Sequence, residues 1–100
     1  MKVSVIVEDR CIIVDGVPFI HIEESRWPAA PADVWCWHWD GTSGCIEYTD
    51  TGIPHGSFDN VSPIQPYIDL HATLVEEEAT ARAAHQAEMD ALIASLTESE

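Results

Sequence analysis

The stretch Val34-Trp35-Cys36-Trp37-His38-Trp39-Asp40-Gly41-Thr42-Ser43-Gly44-Cys45-Ile46-Glu47-Tyr48-Thr49 decides the fold. Two runs rich in aromatic and β-branched side chains flank a polar segment, Asp40 to Gly44, that ends in glycine. Such runs suit a pleated, half-buried surface, and the segment between them suits a tight reversal. Val34 to Thr49 is therefore predicted to form a β-hairpin. Because side chains alternate across a strand, Trp35, Trp37 and Trp39 are expected on one face, with Cys36 and His38 on the other.

Upstream, Lys2 to Glu8 alternates, with Val3, Val5 and Val7 pointing one way, as a half-buried strand does. Cys11-Ile12-Ile13-Val14 is a second strand, and Asp15-Gly16 is a tight-turn signal before a third, Val17 to Ile22. Pro18 cannot donate to a ladder, so the third strand belongs at a sheet edge or begins there. Glu23 to Asp33, with Pro28 and Pro31, reads as loop. Asp50 to Pro66 also reads as loop, interrupted by a short extended piece at Gly56-Ser57-Phe58.

Downstream of Pro66 the pattern changes. A proline suits a first helical turn, and Tyr67 to Thr97 holds neither glycine nor proline while alanine and glutamate dominate. That is helix by propensity. Tyr67, Leu70, Leu74, Ala81, His85, Met89, Leu92 and Leu96 fall within one stripe at 100° per residue, with Glu78 interrupting it. A helix of about 30 residues spans about 45 Å, against roughly 20 Å for a typical strand. The sheet cannot cover it all. The distal half is expected to meet another copy, through Leu74, Ala81, His85, Met89, Leu92 and Leu96. The fold class is thus α+β, a small antiparallel β-rich head over residues 1–62 and a linker with a long, self-associating helix over 63–100.

One hundred residues make a single domain with a modest core. Eighteen acids face four bases, a net charge of -14. Nucleic acids and anionic membranes repel such a surface, because binding either rests on cations. Neither is expected as a partner; a basic protein surface is compatible, and so is acidity that serves solubility alone. No apolar run approaches the roughly 20 residues of a membrane helix, and the start lacks a secretory leader's features. Three cysteines at irregular spacing are no disulfide framework, and reduced thiols are expected.

No nucleophile-elbow pattern and no glycine-rich phosphate loop is present, and nothing singles out one catalytic pair among the carboxylates. An enzyme is not expected, and no cofactor is implied. The one chemically pointed grouping is Cys36, His38 and Cys45, which the hairpin could bring together as zinc ligands with His21, His55 or Cys11 as a fourth. The competing reading is two small buried cysteines and a hydrogen-bonded histidine. The Trp35, Trp37 and Trp39 face is either core against the helix's first turns or an adhesive surface for a partner. Glu76-Glu77-Glu78 reads as a solvated helix face, with Glu78 and Arg82 spaced to pair.

The order of these elements resembles small proteins encoded beside tail-fibre genes of bacteriophages and prophages. They too begin with a Met-Lys-Val-Ser strand, continue with a strand ending in Asp-Gly, and carry a Trp-x-Trp-Asp-Gly-x-x-Gly-x-x-Glu-Tyr hairpin, here Trp37 to Tyr48, before an Ala/Glu-rich helix. The triple tryptophan and the cysteines have no counterpart in that pattern. The resemblance implies a non-enzymatic tail component, in the virion or in the host cytoplasm during assembly. Its partner would be a tail-fibre or baseplate protein, and it would form a homo-oligomer, with a trimer as one option. An assembly chaperone absent from the virion, a small metal-binding protein and an acidic inhibitor are the alternatives.

Overall fold

The computed structural model describes residues 1–98, in which six strands precede two short 3-10 turns and a helix in an α+β arrangement. The strands are β1 (Val3–Ile6), β2 (Cys11–Val14), β3 (Val17–Phe19), β4 (Val34–Trp39), β5 (Gly44–Tyr48) and β6 (Gly56–Phe58). They form one antiparallel sheet in the order β3-β2-β1-β4-β5-β6. The 3-10 turns are Glu24–Arg26 and Ser62–Ile64, and the helix α1 runs Gln65–Glu98. Residues 99 and 100, the end of the segment assigned to the helical extension, lie outside the described residues.

Local chemistry accounts for the reversals. Asp15 (φ 48°) and Gly16 (φ 84°) form a two-residue turn with both centres left-handed, which matches the twist of the strands it joins. Pro18 lies on edge strand β3, where its missing N–H breaks no ladder. Between β4 and β5, the Asp40 carboxylate accepts the backbone N–H groups of Thr42 and Ser43, both at 2.9 Å. Gly44 opens β5, and a Cβ there would stand 2.1 Å from the Phe58 ring, so this glycine makes room for an aromatic on β6.

Register sorts the sheet into two faces. Val3, Val5, Ile12, Trp37 and Trp39 are buried on the face that α1 crosses. Tyr67 sits between Trp27 and Trp37, ring centroids 5.1 and 5.2 Å away, and Ile64 below it is fully buried. His71, 6% exposed, donates from Nε2 to the Val17 carbonyl (2.8 Å) and meets Phe19 edge-on, tying α1 to the outer strand. Arg26 adds a bidentate pair to Glu77. Beyond the Arg26–Glu77 pair the helix leaves the head. Every residue from Val75 to Thr97 is exposed, about 34 Å of helix, and the molecule measures 70 × 26 × 17 Å.

Two expectations need correction. Trp35 does not share a face with Trp37 and Trp39, because β4 carries a bulge: Val34 pairs with Tyr48 and Cys36 with Glu47, leaving Trp35 as the extra residue. The bulge returns Val34 to the core side and leaves Trp35 43% exposed, while Trp37 and Trp39 are buried. Leu74 packs against the head's core, so it belongs to the fold rather than to a surface open to a second copy. Glu78 does pair with Arg82 one turn on, as their spacing implied.

Candidate functional site

The chemically distinctive side chains lie on the sheet face turned away from α1. β4 runs between β1 and β5. Their pairing sets Cys36 between Ile6 and Glu47, and His38 between Ser4 and Cys45. Alternation on the three strands brings Ser4, Cys36, His38 and Glu47 to one side. The Cys36 thiol donates to Glu47 Oε2 at 2.7 Å and lies 3.3 Å from His38 Nε2. His38 Nε2 is 3.6 Å from the same carboxylate oxygen. The other ring nitrogen, Nδ1, is 3.0 Å from Ser4 Oγ. One atom each of Cys36, His38 and Glu47 thus converges within 4.8 Å, the one such group of His, Cys and acid ligands among the described residues.

Burial pushes the Cys36 thiol up, and its hydrogen bond to the negative Glu47 carboxylate takes it further, to about 12. Glu47 is held below the usual glutamate range, first by the thiol's hydrogen bond and then by the neighbouring His38 and His55. At neutral pH the sulfur keeps its proton. Thiolate is the nucleophilic form, so this Cys–His couple is not an activated nucleophile. His38 is half-exposed and borders an open groove of about 400 Å³ that continues past Ser4, Cys45 and Ile13. A small solute reaches it without any rearrangement of the sheet.

Of the expected zinc ligands, Cys36 and His38 meet as the hairpin implied, while Cys45 stays outside the converging group and Glu47 takes its place. His55, in the loop after β5, brings Nε2 to 3.8 Å from Glu47 Oε1. Cys11 shares the face but is separated from Cys36 by β1, and His21 follows β3 with a left-handed backbone (φ 57°). The partner-binding assignment divides: Trp37 and Trp39 are core, Trp39 stacked on Phe58 at 5.6 Å, and Trp35 alone is open to solvent. Along the helix, Ala81 and His85 are exposed, as are Met89, Leu92 and Leu96 with their neighbour Ile93.

Sequence reasoning missed Glu47, Ser4 and His71. Glu47 was within reach: with Asp40 to Ser43 as the loop, Trp39 faces Gly44 and, counting back, Cys36 faces Glu47. The Ser4 contact depends on β1 pairing with β4, and that of His71, one turn after Tyr67 on the helix stripe, on where α1 crosses β3. The chain matches no family model, no curated protein and no solved structure. Among the described residues no helix is long and apolar enough to cross a membrane.

Proposed function

We propose that this protein is a non-enzymatic interaction module of a bacteriophage tail. Its β head docks on a tail-fibre or baseplate protein, and its helix associates with copies of itself. The supporting observation is the bare arm. A helix of 34 residues gives only its first turns to the head, then carries Met89, Leu92, Ile93 and Leu96 exposed at its far end. At 100° per residue those four side chains fall within about 100° of arc, a stripe suited to helix packing. Glu76 to Glu88 holds no large apolar side chain and acts as a polar, alanine-rich spacer. The placement in a phage tail rests on the resemblance of the Trp37 to Tyr48 hairpin.

Light scattering on the full chain and on a chain ending at Ala83 tests the self-association. The full chain is expected as an oligomer, a trimer being the first copy number to test, and the truncated chain as a folded monomer. Equal masses for the two refute the role given to the arm. Mass spectrometry of purified particles tests the location: a stoichiometric copy number supports a tail component. Absence from particles, with co-purification on the fibre protein, supports the assembly chaperone instead.

A further inference from the structure

The cluster on the helix-free face fits a ligand that the interaction reading does not use. We propose that Cys36, His38 and Glu47 form a zinc site, with Ser4 orienting the histidine. The donor set is one thiolate, one imidazole and one carboxylate, a combination that suits zinc over the hard cations magnesium and calcium.

Geometry supports the set. With zinc–ligand bonds of about 2.0–2.3 Å at tetrahedral angles, donor atoms lie about 3.4–3.6 Å apart. The observed separations are 3.3 Å for Cys36 Sγ to His38 Nε2, 3.6 Å for His38 Nε2 to Glu47 Oε2, and 2.7 Å for Cys36 Sγ to Glu47 Oε2. Two already match. The third, a thiol–carboxylate hydrogen bond, opens by under an ångström once the thiol proton leaves and an ion enters between the two groups. That movement needs only a rotation of the Glu47 side chain.

The histidine's other ring nitrogen also has its partner. With Nδ1 3.0 Å from Ser4 Oγ, the histidine can hold its proton on that side, donate it to the serine, and turn the Nε2 lone pair to the ion. Histidine ligands are commonly oriented in this way by a partner on their other nitrogen. Cys36, Ser4 and Glu47 sit on three adjacent paired strands, so the ligand positions are carried by the sheet rather than by loops. The coordination is then three protein ligands and one further position, which water can fill. His55, 3.8 Å from the other Glu47 oxygen, stays outside the converging group. Binding releases the Cys36 proton to solvent, and with the Glu47 carboxylate the two anionic donors balance the charge of Zn²⁺.

The test is titration of the full-length, reduced protein with zinc, followed by cobalt substitution. The expected result is one ion per chain and a sulfur-to-cobalt charge-transfer band with the d–d bands of tetrahedral cobalt. Cys36→Ser should abolish the charge-transfer band, and Glu47→Gln should weaken binding at least tenfold. Ser4→Ala should weaken it about 10–100-fold with the ligands intact, whereas Cys45→Ser should leave it unchanged. Circular dichroism of each variant without metal establishes folding, and Glu47→Gln, at a partly exposed position, serves if Cys36→Ser does not fold. Zinc binding that survives both Cys36→Ser and Glu47→Gln is adventitious binding to surface histidines and acids, and overturns the site. Loss of the band in Cys45→Ser with retention in Glu47→Gln overturns this ligand set in favour of Cys36, His38 and Cys45.

Discussion

Replacing Tyr67 by phenylalanine should stabilise the protein. The ring is 2% exposed between Trp27 and Trp37, and its hydroxyl is buried with no hydrogen-bond partner among the described residues. A buried polar group left without a partner costs about 1–3 kcal/mol. Removing the oxygen relieves that cost and gives up only the few contacts one atom makes. The net expectation is a gain of about 1 kcal/mol, since the lost contacts offset part of the relief. In a domain of this size that is a rise in melting temperature of about 4–8 °C. Tyr67→Ala, which removes the ring as well, should instead cost about 3–5 kcal/mol, as truncation of large buried aromatics does.

Urea unfolding followed by tryptophan fluorescence reads both changes, and pH supplies a second arm. Burial raises the Tyr67 pKa above its ordinary value. The unfolded chain therefore loses the phenolic proton first as pH rises, and stability from this group falls above about pH 10. The stability difference between wild type and Tyr67→Phe should widen in favour of phenylalanine above that pH and stay flat below it. A Tyr67→Phe variant less stable than wild type at neutral pH would refute the reasoning, because the hydroxyl would then have a partner such as an ordered water.

Trp35→Ala should change stability by under about 1 kcal/mol, while Trp37→Ala costs about 3–5 kcal/mol in the same urea assay; equal costs would mean that the bulge does not turn Trp35 outward. Gly44→Ala should destabilise by about 1–3 kcal/mol through displacement of Phe58, and the double variant Gly44→Ala/Phe58→Ala should show a coupling between the sites that a turn-specific role for Gly44 would not produce. Asp40 is held down to about 2 by the backbone N–H groups of Ser43 and Thr42 and by the Thr42 hydroxyl. Because its folded pKa lies below its unfolded one, its contribution is complete above about pH 3.9 and declines as pH falls towards 2. Asp40→Ala should remove that acid-side slope in urea midpoints measured from pH 2 to 6, and an unchanged slope would count against the turn as drawn.

Much of this architecture is written in local pattern. Period-two alternation from Lys2, the Asp15-Gly16 turn, the Gly-bounded hairpin and the long stretch free of glycine and proline after Pro66 each depend on neighbours within a few residues. A reading of propensity and periodicity therefore recovers them, down to the brief strand at Gly56–Phe58 and the edge position of Pro18. Strand order did not follow from that reading. The pairing of β1 with β4 joins segments about 30 residues apart, and the hydrophobic pattern of either strand would suit several partners.

The site divides along the same line. Alternation alone puts Cys36 and His38 side by side, and one residue of loop length decides whether Glu47 or Tyr48 faces the thiol. The tryptophans show the cost of a single irregularity. Strict alternation unites Trp35 with Trp37 and Trp39, whereas one bulged residue turns Trp35 to water and returns Val34 to the core. Trp27 lies in a proline-flanked loop with no periodic signal, and it is recruited by packing against Tyr67 of α1. Composition and period settled which segments are strand and helix, because those preferences are local. Which faces meet, which thiol finds a carboxylate and where the helix parts from the head were decided by tertiary packing, because each depends on contacts that exist only once distant segments are paired.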